Sequence, residues 1–143
     1  MAWNNSKHTF IIGIDAGVKT GLAIWSKEDK KLVQVETTKI HRAMQIITNY
    51  HREGKQLQVR VEDARKRKWY GNAGREKLQG AGSVKRDCTI WEDFLKDAGI
   101  PYEMVAPKNN RTKLDKEMFT MLTKYTGMTS EHSRDAAMLV FGM

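Results

Sequence analysis

The chain has 143 residues, of which 40% are hydrophobic and 29% charged, with two prolines, one cysteine and a formal net charge of +8. This composition excludes a disordered or collagenous chain, a disulfide framework and a thiolate zinc cluster, and the length predicts one domain over residues 1–143. No run approaches the roughly 18 apolar residues of a membrane helix, and the start has no signal-peptide core, so we expect a cytoplasmic protein with no membrane partner.

The first third of the chain predicts three strands and a helix. Apolar runs over residues 8–14, 20–26 and 32–35 have β-rich composition, and a polar turn separates the last two. Such closely spaced runs are typical of an antiparallel meander. From Ile40 to Tyr50 the apolar residues recur at helical spacing, and Gly54 supplies a stop signal.

The rest of the chain alternates strands and helices. Residues 57–61 alternate apolar and polar side chains, and a polar, basic loop follows them. A long helix is predicted from the three- and four-residue spacing between Leu78 and Ala98, and residues 102–105 form a brief strand. Thr112 begins a capping box for the next helix, and the segment from Ser130 onwards predicts a last short helix.

This element order, β-β-β-α-β-α-β-α-α, predicts an α/β fold. It corresponds to a mixed five-stranded sheet, in which a three-strand antiparallel meander is joined by two strands reached over helical crossovers. We expect those two strands to run parallel to the first and the helices to cover both faces.

Two carboxylates stand at predicted strand ends. Asp15 ends the first strand, with Gly17 and Gly21 after it, and Glu62 ends the fourth. If these strands pair in parallel, both carboxylates emerge at one end of the sheet, beside backbone that can approach a phosphate. Asp15 taken alone is equally well explained as an ordinary turn residue, and two strand-end acids can also occur by chance.

The last predicted helix adds His132 and Asp135, whose i and i+3 spacing places both side chains on one face. Taken alone, they are more simply explained as a surface histidine and an acid near a helix N-terminus. Three carboxylates that converge, however, repel one another unless cations neutralise them. Oxygen ligands suit Mg²⁺ or Mn²⁺, and two such ions roughly 4 Å apart promote phosphodiester cleavage. His132 is either a ligand that favours Mn²⁺ or a proton carrier.

The positive charge favours a polyanionic partner, because each Lys or Arg contact with a phosphate releases counterions. Four successive cations and two aromatics follow Glu62 closely, a combination that suits DNA backbone and unpaired bases; a solvated face is the simpler alternative. The residues that we expect to contact DNA are Arg65, Lys66, Arg67, Lys68, Trp69, Tyr70, Arg75, Lys77, Lys85, Arg86, Arg111 and Lys113.

Three segments, IIGIDAGVKTGLAIW, VEDARKRK and EHSRDAAMLVFG, resemble the catalytic segments of the RuvC family of Holliday-junction resolvases, within the RNase H-like superfamily. The resemblance covers nearly the whole chain in the same element order. It implies an RNase H-like fold and a homodimeric endonuclease with two Mg²⁺ or Mn²⁺ ions per active site. Such an enzyme resolves four-way DNA by paired phosphodiester hydrolysis, in recombination, repair or phage DNA processing.

The same resemblance implies roles for individual residues. Asp15, Glu62, His132 and Asp135 match the family's four metal-site positions, and Lys116 stands roughly where the family has a basic residue near the active site. Arg65 is a departure, because family members commonly carry an aromatic residue shortly after the strand-end Glu. It puts in doubt the family's way of opening the junction and its cleavage-sequence preference.

Other functions stay open at this stage. The same fold can cleave RNA–DNA hybrid, structured RNA or other branched DNA, and a non-catalytic DNA-binding module would use the acids without a metal. The motif Asp-Ala-Gly-x-x-x-Gly also resembles the phosphate loop of actin-like ATPases. Those proteins need two such domains around the nucleotide, and 143 residues are too few.

Overall fold

Five strands form one mixed sheet in the computed structural model, which describes residues 9–66, 75–107 and 113–143, with only the backbone over 75–81. The strands are β1 (Thr9–Asp15), β2 (Thr20–Ser26), β3 (Lys31–Thr38), β4 (Gln56–Glu62) and β5 (Tyr102–Val105). The helices of the described residues are α1 (Ile40–Arg52), α2 (Arg75–Ala98), α3 (Lys116–Thr123) and α4 (Glu131–Met138), and a 3₁₀ turn covers Ala64–Lys66. The element order agrees with the prediction.

The sheet order is β3-β2-β1-β4-β5. The first three strands pair antiparallel, as the predicted meander requires. β4 pairs in parallel with β1, and β5 pairs in parallel with β4. The chain is therefore an α/β protein with a mixed five-stranded sheet, as predicted.

Both faces of the sheet are buried, because successive side chains of a strand point to opposite sides. On one face Ile12, Val59 and Trp91 belong to a core to which α1 and α2 contribute. On the other face Trp25 and Val140 belong to a second core, to which α3 and α4 contribute. Helices thus cover both faces, and no described helix combines the length and apolar character needed to span a bilayer.

The start of α3 corrects one prediction. Thr112 lies outside the described residues, residues 113–115 are not helical, and the helix begins at Lys116. Asp115 is the N-cap, and its carboxylate accepts a hydrogen bond of 2.8 Å from the backbone N–H of Met118. Because aspartate is among the best N-cap residues, it begins the helix itself instead of serving as the last residue of a capping box.

Candidate active site

Asp15 and Glu62 lie side by side at one end of the sheet. They are partners in the parallel register of β1 and β4, which makes the two strands end together. Their neighbours Ile14 and Val61 point into the core under α1 and α2. Because side chains alternate along a strand, both carboxylates point to the α4 face, where the side chain of Asp15 is 17% exposed.

Two glycines bring α4 onto the sheet beside these acids. A Cβ at Gly21 would lie 2.0 Å from the carbonyl oxygen of His132, and a Cβ at Gly13 would lie 2.1 Å from that of Ala136. The helix backbone therefore rests directly on β1 and β2. This corrects the expectation for Gly21, whose open side faces α4 and so does not offer backbone to a phosphate.

The close approach places the first turn of α4 at Asp15. The Nδ1 atom of His132 is 3.1 Å from Oδ2 of Asp15, although the two residues are 117 positions apart in the chain. Ser130 caps the helix with a hydroxyl that accepts from the Ser133 N–H, and the same hydroxyl contacts Thr37 of β3. The start of α4 is therefore anchored to both β1 and β3.

The pKa of the Asp15 carboxyl is shifted by its burial and by the charged groups around it. Burial raises the pKa of its carboxyl from 3.8 to about 6. The hydrogen bond from His132 opposes this shift, whereas the negative charges of Glu62 and Asp135 add to it. Glu62, His132 and Asp135 are thus close enough to Asp15 to influence its titration.

Lys113 contacts two acidic side chains of α4. Its ammonium lies 2.7 Å from Oε1 of Glu131 and 3.4 Å from Oδ2 of Asp135. These contacts raise the pKa of Lys113, chiefly through the hydrogen bond to Glu131. Lys116, which the resemblance placed near the active site, is exposed in the first turn of α3. Lys113 was expected only as a DNA contact, because its position depends on where α3 begins.

Arg65 lies in a different cluster, on the α2 side of the sheet. Its Nε and Nη2 atoms donate to the two carboxylate oxygens of Asp63, each at 2.8 Å, and Nη2 also donates to Glu92 at 2.8 Å. Asp63 is 1% exposed. Burial raises its pKa, but the hydrogen bonds from Arg65 outweigh burial and hold it below the ordinary value. The guanidinium expected to contact DNA is thus engaged in an internal ion pair.

The structure describes only some of the other residues that were predicted to contact DNA. Lys66 donates to the carbonyl oxygen of Met104 at 2.6 Å. On α2, Lys85 is half-buried and Arg86 is exposed. The side chains of Arg75 and Lys77, and all of Arg67, Lys68, Trp69, Tyr70 and Arg111, lie outside the described part of the structure.

The donor set suits a hard cation, but its members are engaged with each other. Within the described ranges, no three His, Cys, Asp or Glu side chains are arranged to hold one ion as they stand. His132 contacts an oxygen of Asp15, and Lys113 contacts an oxygen of Asp135. A divalent cation would compete with these two groups for the same oxygens. Three carboxylates and an imidazole nevertheless match the ligand chemistry of Mg²⁺ or Mn²⁺.

A groove beside His132 was missed by the sequence reasoning. It has a volume of about 980 Å³ and runs between the β1–β2 turn, the β3–α1 junction and the start of α4. Among its lining residues are Lys19, Lys39, His41 and His132. Lys19 belongs to the β1–β2 turn, Lys39 and His41 to the β3–α1 junction and His132 to α4, so only the folded chain brings these segments together.

Comparisons with known proteins leave the site to be interpreted from its own chemistry. No protein-family model matches the chain, and no curated protein matches it. The functional proposal therefore rests on which side chains the fold brings together and on the physical consequences of that arrangement.

Proposed function

We propose that the protein is a metal-dependent endonuclease of the RuvC-like type, with an RNase H-like fold, that resolves four-way DNA junctions. One observation supports it above all: Asp15, Glu62, His132 and Asp135 come from three distant segments and meet at one end of the sheet. A carboxyl with a perturbed pKa, such as Asp15, among other titratable side chains is characteristic of functional sites.

Charge explains why such a site would recruit a cation. Three carboxylates approach one another, and the raised pKa of Asp15 reflects the cost of ionising it there. A divalent ion held by Asp15, Glu62, Asp135 and His132 would offset that cost. Mg²⁺ or Mn²⁺, with two ions per site, would supply an activated water and neutralise charge on the scissile phosphodiester.

The chain's own residues have further roles in this proposal. His132 holds one ring nitrogen against Asp15, and its side chain is 49% exposed. In this proposal the ring is either a ligand of the ion or, where carboxylates alone hold the ion, a proton carrier between the site and solvent. Lys113 is 59% exposed beside Asp135. Its ammonium can therefore turn towards a bound phosphate and stabilise the charge that develops there.

The proposed substrate and the homodimer are what the family resemblance implies, and the charge of the chain is compatible with them. A net charge of +8 suits DNA, and Arg86 offers an exposed cation on α2. A four-way junction presents two equivalent strands, which a homodimer with two such sites would cut in pairs. We place this activity in the cytoplasm of a bacterium or of a phage-infected cell.

The test is nicking of a synthetic four-way junction by the wild-type chain and by Asp15→Asn, with Mg²⁺ or Mn²⁺ and with EDTA. We expect cleavage to need the metal and to fall at least about 100-fold in the variant, the usual effect of losing a group that stabilises transition-state charge. Junction binding in EDTA should persist. Asp29→Asn, in the exposed β2–β3 turn, is the matched control and should cleave like the wild type.

The same assay distinguishes the neighbouring functions. Paired nicking of the junction, with hybrid, flap and structured RNA left intact, supports junction resolution. Preferential cleavage of one of the other substrates would keep the nuclease chemistry and replace the substrate. Absence of cleavage, together with no saturable Mn²⁺ binding by calorimetry, would contradict the metal-dependent mechanism and favour a DNA-binding module.

A further inference from the structure

The groove beside His132 carries two lysines on a lining that is mostly apolar. Lys19 and Lys39 are both exposed at its walls, as is His41. Glu131 is the one acid among the described lining residues, and its carboxylate is bonded to the ammonium of Lys113. A groove with unbalanced lysines attracts an anionic ligand.

The start of α1 adds to this preference. Lys39 occupies the N-cap with extended backbone (φ −86°, ψ 157°) and makes no side-chain capping bond, and the first turn holds no acidic residue. Helix N-termini usually have Ser, Thr, Asp or Asn at this position, and their partial positive charge favours acids. A lysine there costs local stability, so its presence points to a use other than supporting the helix.

The groove meets the candidate active site at His132. This side chain lines the groove and also contacts Asp15, so a chain that lies in the groove comes within one side chain of that carboxylate. The exposed Val18, together with Ile40, gives the walls an apolar part. Lysines that stand beside apolar surface suit a sugar–phosphate backbone, whose phosphates are separated by less polar sugars.

We infer that this groove binds one DNA strand through its phosphates and guides that strand to Asp15. Lys19 and Lys39 are the phosphate contacts, and His41 lies beside them. The inference rests on the proposed function for the identity of the ligand. It adds a binding surface on the β3 side of the carboxylates, whereas the DNA contacts predicted from the sequence follow β4 or precede α4.

The test compares Lys19→Gln/Lys39→Gln with Lys27→Gln/Lys31→Gln. Both double variants lose the same charge, but Lys27 and Lys31 lie at the opposite end of the sheet from Asp15. Binding of a labelled single strand and of a four-way junction is measured in EDTA between about 50 and 200 mM salt. We expect the groove variant to bind on the order of tenfold more weakly, with a salt slope smaller by about 1.5. The control should bind like the wild type.

A single variant separates binding from stability. Lys39→Ser installs a favoured N-cap residue, so we expect an unchanged or higher Tm together with weaker DNA binding. A purely structural role for Lys39 would give no loss of binding. Equal affinity and equal salt slope for the groove and control variants would overturn the inference.

These outcomes are independent of cleavage, because the binding assay contains no metal. If the wild-type chain cleaves no substrate but the groove variant alone loses affinity, the groove stands and the nuclease proposal falls. If the wild type cleaves junctions and the groove variant binds them unchanged, the groove inference falls and the nuclease proposal stands.

Discussion

Glu62 and Asp63 are neighbours in the chain but belong to two acid clusters of opposite character. The site cluster consists of Asp15, Glu62, His132 and Asp135, and the arginine cluster consists of Asp63, Arg65, Glu92 and Tyr102. In the arginine cluster a guanidinium lowers the pKa of both carboxyls. In the site cluster burial and neighbouring negative charge raise the pKa of Asp15 to about 6.

The buried carboxylates of Asp63 and Asp15 have different consequences for the protein because their partners differ. Asp63 is almost completely buried, and its two oxygens receive a bidentate guanidinium, which offsets the cost of removing the charge from water. Asp15 has a half-exposed imidazole as its partner and two carboxylates near it. The first arrangement holds the chain after β4 against α2. The second retains unfavourable charge, which a bound cation can relieve.

The largest expected effect comes from breaking the arginine cluster. Asp63→Ala removes the hydrogen bonds between its carboxylate and the Arg65 guanidinium, which is 30% exposed and stays bonded to Glu92, so we expect the free energy of unfolding to fall by about 3 kcal/mol. Urea denaturation measures this loss, and Asp93→Ala, at an exposed position on α2, should change stability by less than about 0.5 kcal/mol. Similar small changes in both variants would show that the ion pair contributes little.

An effect of at most this size, and of opposite sign, is expected in the site cluster. The raised pKa of Asp15 means that stability is highest below its unfolded value of 3.8 and is lost as pH rises through about 6. Asp15→Asn removes the charge, so above pH 6 we expect a gain of up to about 3 kcal/mol in unfolding free energy. The gain should vanish below pH 4. Thermal or urea unfolding across this pH range measures it, and a pH-independent difference would contradict the assignment.

The third effect is smaller and concerns Gly21, which allows the backbone of α4 to pack closely on β2 beside the site cluster. Gly21→Ala places a Cβ against the His132 carbonyl, so α4 must shift, at a cost of about 1–3 kcal/mol. We also expect weaker cleavage, because His132 moves with the helix. Gly82→Ala in α2 meets no atom within 4 Å and should instead stabilise by roughly 0.5–1 kcal/mol. Wild-type cleavage by a destabilised Gly21→Ala variant would show that the position of α4 is unimportant to the site.

Much of the fold could be predicted because its signals are local. The alternation in β4 determines that Glu62 and Asp63 point to opposite sides, and the helical spacing in the last segment puts His132 and Asp135 on one face. The parallel pairing of β1 with β4 follows from the meander, which leaves β3 parallel to β1, and from the α1 crossover, which makes β4 parallel to β3. The meeting of the acids was therefore a consequence of element order and periodicity.

Other features depended on contacts between distant segments. The resemblance pointed to Lys116, whereas only the Asp115 cap and the position of α4 bring Lys113 to Asp135. The basic run after Glu62 gave no sign that Arg65 turns inward to Asp63 and Glu92. The sequence shows which residues carry a charge, but the packing of the folded chain determines which residues those charges contact.

By itself, then, the sequence determined the order of the elements and the acids at their ends, because periodicity and capping act over a few residues. The tertiary structure decided which cations meet those acids and created the groove of Lys19 and Lys39, because the β1–β2 turn, the β3–α1 junction and α4 become neighbours only when α4 settles on the glycines of β1 and β2.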